Sequence, residues 1–213
     1  MENADYVGLI GVAAVAVLTL FIAKTFPRAA KLLAVAFLIR ALILLTGHYE
    51  VSLPGDGSDA VAFHVTAIEW SQGGFFLALS HFTGPSSYFI SWLLALLYAL
   101  AEPSALLGKS VSLLFGMGTV WMGYLLGQRL WGPRAAVKVG WFVALFPTLI
   151  LYSALILREA YIAFFLGLAL FGVVGWARSG DGLSFGIAML GFIGATFFHG
   201  GMIVGAVVLL AII

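Results

Sequence analysis

Apolar residues fill long, nearly uninterrupted runs of this chain, and polar residues gather in the gaps between them. A helix needs about 20 residues to cross a hydrocarbon core of about 30 Å. Runs that reach or approach this length extend from Tyr6 to Ala23, Leu32 to Thr46, Leu106 to Leu126, Ala136 to Tyr152, Ala160 to Trp176, Leu183 to Phe198 and Met202 to Ile213. The pattern predicts an all-α fold, a polytopic transmembrane helix bundle of about seven spans forming one membrane domain over residues 1–213. The second run is short and contains Arg40. A further apolar stretch, Tyr88 to Ala101, is shorter still and is followed by Pro103.

Composition makes lipid the solvent. Mean hydropathy is +1.13, hydrophobic residues make up 63% of the chain and charged residues 9%, against about 25% charged in soluble domains. A chain of this size leaves roughly a quarter to a third of its surface wet, so a soluble core has no room for this much apolar area. The net charge of +1 gives no basic footprint for nucleic acid. The absence of cysteine removes disulfides, thiolate catalysis and Cys-ligated metal sites. Glu2 and Asp5, rather than a basic segment, precede the first run, which has no clear small-residue cleavage site and reads as a span rather than a cleaved signal.

Charge orients the spans. Lys24, Arg28 and Lys31 form one basic loop, Arg129, Arg134 and Lys138 a second, and Arg178 sits in a third. Basic short loops mark the cytoplasmic side. All three lie inside only if the N-terminus is outside and residues 47–105 form one long external segment. Tyr88 to Ala101 then becomes an in-plane or half-inserted amphipathic helix region rather than a span. The external face collects Glu50, Asp56, Asp59, Glu69, Glu102 and Glu159 with all four histidines, His48, His64, His81 and His199. Arg40, Lys109 and Arg158 fall at or near external span ends. Ionisable groups beside hydrocarbon are costly and mark the place to look for function.

Two stretches stand out. In Pro54-Gly-Asp-Gly-Ser-Asp-Ala-Val-Ala-Phe-His64, two glycines permit a sharp turn, and Asp56 or Ser58 can cap a helix running from about Asp59 to about Ser71. The two aspartates are therefore either caps and dipole partners or a pair of carboxylates aimed at the edge of the bundle. In Pro147-Thr-Leu-Ile-Leu-Tyr-Ser-Ala-Leu-Ile-Leu-Arg158-Glu159, a proline interrupts one span and an Arg-Glu pair opens the next. A proline-broken helix frees backbone groups, tolerated at membrane depth only where protein or a water-filled cavity satisfies them. The alternative for Arg158 is a snorkelling side chain beside an interfacial glutamate.

The order of these features resembles the GT-C superfamily of integral-membrane glycosyltransferases: an external acidic loop, an in-plane apolar helix, a span ending in the basic loop Gly127-Gln-Arg-Leu-Trp-Gly-Pro-Arg134, then Phe146-Pro and an acidic residue opening the next span. The likeness covers roughly residues 32–177. It implies an enzyme that takes a polyprenyl-phosphate-linked sugar laterally from the lipid and transfers it on the external face; the expected location is a bacterial inner membrane. Asp59 is the preferred counterpart of the family's first acidic residue, with Asp56 in reserve, and Glu159 the counterpart of the second. Arg158, Lys109 and Arg40 are the cations available to offset the departing phosphate. His64 and His199 are candidates to orient substrate or, with the carboxylates, to hold a divalent cation. The chain departs from the family in its additional first run, Tyr6 to Ala23, and in its span count, since members usually have many more spans and often a soluble C-terminal domain whereas the last apolar run here reaches Ile213, so a fragment or a reduced relative is expected. Two other classes stay open. A transporter would show repeated halves, which are not evident. A non-catalytic subunit with membrane-protein partners would suit the 26 glycines, which favour close helix packing.

Overall fold

A computed structural model describes residues 3–212 of the chain. Glu2, Ile213 and the Ser58 side chain, which carry parts of the sequence reading, lie outside the described atoms. The described residues form helices joined by turns and loops, without a strand: α1 (Asn3–Thr25), α2 (Pro27–Tyr49), α3 (Ser58–Ser71), α4 (Phe75–Ser80), α5 (Phe89–Tyr98), α6 (Ala105–Trp131), α7 (Pro133–Leu145), α8 (Pro147–Tyr152), α9 (Arg158–Ser179), α10 (Gly182–Phe198) and α11 (Ile203–Ile212), the last preceded by a 3-10 turn at Gly200–Met202.

Four helices are long and apolar enough to cross a membrane: α1, α2, α6 and α9. The other predicted crossings are shorter or broken. The run from Ala136 to Tyr152 divides into α7 and α8 at Phe146, because Pro147 has no N–H to offer the carbonyl of Val143 and so cannot continue α7. Helix α10 has 17 residues and α11 has 10. Helix α5 has 10 residues, about 15 Å of rise, too little to cross.

Helix α6, 27 residues and about 40 Å long, is the axis of the bundle and packs on α1, α2, α7, α8 and α9. Its small residues set the distances. A Cβ on Gly116 would stand 2.2 Å from the Ser153 Cβ, and one on Gly127 would stand 2.9 Å from the Val139 Cβ. Helices α9 and α10 approach until their backbones touch: a Cβ on Gly172 would lie 2.3 Å from the Ala188 nitrogen, and one on Gly191 the same distance from the Ala169 nitrogen. Such small-residue contacts let helices associate in lipid, where apolar burial gives little drive.

The charged loops separate by end. Arg28 and Arg134 line one cleft, and the Arg178 guanidinium donates to the carbonyls of Arg129 and Leu130, closing the last turn of α6. The three basic loops therefore meet at one end of the bundle. At the other end His48 pairs with Asp5 at 3.3 Å and Lys109 with Asp56 at 3.0 Å.

Candidate functional site

The site forms where the loop after α2 meets the first turns of α6 and the irregular chain between α8 and α9. Leu53-Pro54-Gly55-Asp56 is a type II turn: the Asp56 N–H donates to the Leu53 carbonyl at 3.0 Å, proline occupies the second position, and Gly55 in the third has φ 92°. A side chain at position 55 would be strained there and would lie 3.3 Å from the Leu155 Cδ1. The turn thus rests on the 155–157 segment and directs Asp56 toward α6.

Asp56 does not cap α3. Gly57, which has no side chain to offer, occupies the N-cap position, and the Asp56 carboxylate is turned instead to the Lys109 ammonium, which donates to Oδ2 at 3.0 Å. The lysine side chain is 6% exposed and the aspartate 22%. A lysine this deep requires its counter-charge. Asp56, Lys109, His64, Ala60, Val61, Ala105 and Ile156 line a cleft of about 230 Å³.

His64 is held from behind. Tyr98, at the end of α5, donates its hydroxyl proton to the Ser104 carbonyl at 2.9 Å, and His64 Nδ1 lies 3.0 Å from the same hydroxyl oxygen. Burial, with the Lys109 ammonium adding to it, holds the His64 imidazole below its ordinary pKa. Tyr98 fits because position 108 has no side chain: a Cβ there would lie 2.6 Å from the Tyr98 hydroxyl and 2.8 Å from the Ile156 Cδ1.

The second acidic stretch borders the same region. Residues 153–157 are non-helical yet Ser153, Ala154, Leu155 and Ile156 are buried. The Ser153 hydroxyl turns back to the Leu149 and Ile150 carbonyls at 2.9 and 2.7 Å, satisfying the frayed end of α8. Ile156, Ala160 and Tyr161 share a core cluster with Phe63, Tyr98 and Leu107, and the Arg158 guanidinium stands 5.5 Å from the Phe63 ring centroid. Glu159, in the first turn of α9, keeps one buried carboxylate oxygen, Oε2, without a hydrogen-bond partner.

Other candidates stand apart. Asp59 is exposed in the first turn of α3 and does not line the cleft. His199 is exposed at the C-cap of α10. Arg40 is fully buried within α2 rather than at its end: its guanidinium donates to the Ala144 and Val143 carbonyls at 2.7 and 3.3 Å. These are the acceptors that the Pro147 break leaves open, so Arg40 closes the end of α7. Among the described residues no three His, Asp or Glu side chains converge in a metal-ligand cluster. Asp56, already neutralised by Lys109, is a poor start for a divalent-cation site.

Sequence reasoning did not single out Tyr98, Ser104 or Gly108. A tyrosine at the end of an apolar stretch, with a hydroxyl that must find a partner once buried, was the available signal. No protein-family model, curated protein or solved structure matches the chain.

Proposed function

We propose that this protein is a glycosyltransferase-like membrane protein that uses a polyprenyl-phosphate-linked sugar on the external face, with its N-terminus outside and α7–α8 and α10 adding crossings to those of α1, α2, α6 and α9. The observation that carries this reading is the pairing of Lys109 with Asp56 in a cleft shared with His64. A buried ammonium fixed by a carboxylate is a preorganised cation for a departing phosphate. Arg158 supplies a second cation on the adjoining segment, with the Glu159 carboxylate next to it in sequence, while Asp59 lies outside the cleft lining. A groove of about 410 Å³ among α1, α2, α6 and α9, lined by Leu18, Leu33, Leu114, Trp121 and Phe164, offers an isoprenoid chain an apolar bed.

Retention of polyprenyl phosphate tests the binding half of the reading. Wild-type protein in detergent should carry the lipid in native mass spectra, and Lys109→Gln should weaken it about tenfold, the loss of one charge-assisted contact. Equal retention by both would remove the cleft from the reading. A wild type that neither retains the lipid nor turns over its sugar would favour a non-catalytic subunit.

A further inference from the structure

The Tyr98 phenol has one proton, and the Ser104 carbonyl 2.9 Å away can only accept it. The Tyr98 oxygen is then an acceptor toward His64, so the imidazole proton sits on Nδ1 and is donated across the 3.0 Å contact. That leaves Nε2 as the ring's open lone pair, on a side chain lining the cleft with Asp56 and Lys109. No described residue hydrogen-bonds it. The carboxylates are less suited to accept a proton here: Asp56 is committed to Lys109, and neither Asp59 nor Glu159 lines the cleft.

We propose that His64, fixed as its Nδ1–H tautomer by Tyr98, is the general base of the cleft. The assignment rests on the transfer reading above. In that step an acceptor hydroxyl loses its proton to Nε2 as its oxygen bonds to the sugar C1. The bond from C1 to the phosphate oxygen breaks, and the polyprenyl phosphate leaves with the electron pair, facing Lys109. The proton passes from His64 to solvent afterwards. Tyr98 is a positioning residue, and Gly108 provides the space that lets it approach.

The test combines two readouts on the full chain in nanodiscs. Nitrogen-15 NMR of labelled histidine should find His64 protonated at Nδ1 in the wild type and shifted toward the Nε2–H form in Tyr98→Phe. Release of polyprenyl phosphate from a panel of synthetic polyprenyl-phosphate hexoses should fall about 10²- to 10⁴-fold in His64→Asn. This variant keeps a donor near the Nδ1 position and lacks the base, and its lipid-phosphate retention should be unchanged. Release by His64→Asn within a few-fold of an active wild type, or an Nε2–H tautomer in the wild type, would overturn the assignment alone. No release by the wild type would overturn the transfer reading, and with it the base's task.

Discussion

Lys109 and Asp56 are 53 positions apart in sequence and 3.0 Å apart in space, and their contact joins the loop after α2 to the first turns of the central helix. Removing one partner of such a pair costs more than the pair contributes, because the remaining charge stays buried. Asp56→Asn should therefore destabilise the protein by about 1–3 kcal/mol. Asp59→Asn, on an exposed side chain, should stay within about 0.5 kcal/mol of wild type. Reversible unfolding in mixed micelles measures both; equal effects would mean that the ion pair does not hold the loop.

Gly108 makes room for Tyr98. Gly108→Ala should cost about 1–3 kcal/mol through overpacking against the Tyr98 hydroxyl and Ile156. Gly57→Ala, where a Cβ meets nothing within 4 Å, should cost much less. Thermal unfolding of the two variants makes the comparison, and a neutral Gly108→Ala would contradict the close approach.

Arg40 closes α7, so its loss should act on stability first. Arg40→Leu strands the Ala144 and Val143 carbonyls in the bundle and should cost about 2–4 kcal/mol. If Arg40 instead met the substrate phosphate, Arg40→Lys would leave stability near wild type and weaken lipid-phosphate retention. Parallel unfolding and retention measurements separate the two.

The pH dependence follows from His64. The groups around it are Asp56 and Lys109 in the cleft and Tyr98 behind; Asp59 opens its own helix, α3, and Arg158 and Glu159 open α9, where Arg158 stands over Phe63. Burial and Lys109 depress the imidazole pKa, so the neutral base form persists below the free-histidine value of about 6.5 and is lost only as pH falls further. Turnover should be flat from neutral pH down to below that value, then fall. A profile that falls already above pH 6.5 would contradict the buried, Lys109-facing imidazole.

Much of this was legible in the sequence and some was not. Apolar run lengths located α1, α2, α6 and α9, the proline at 147 located the α7–α8 break, and the 54–64 and 147–159 stretches proved to border one region. These signals are local. The partner of Asp56 was not legible: a cap and an ion-pair acceptor look identical until Lys109 arrives from 53 positions away. Arg40 looked like a free cation near a span end because only tertiary packing brings it to the carbonyls of Ala144 and Val143. His64 was singled out as a residue type, but its tautomer depends on Tyr98, a contact between separate helices.

Orientation is read by labelling. A cysteine at position 57, in the acidic loop, should react with an impermeant maleimide in intact cells, and one at position 182, at the basic end, only after permeabilisation. Both positions are open to an added side chain. The reverse pattern would place the cleft on the cytoplasmic side.

Transfer in the Asp56–Lys109–His64 cleft is read from the appearance of free polyprenyl phosphate from synthetic polyprenyl-phosphate hexoses in proteoliposomes, since this product forms whatever hydroxyl accepts the sugar. The wild type should release it with at least one hexose of the panel, and Lys109→Gln and His64→Asn should each slow release about a hundredfold or more while remaining folded. No release with any hexose, or release unaffected by both substitutions, would mean that sugar transfer does not take place in this cleft.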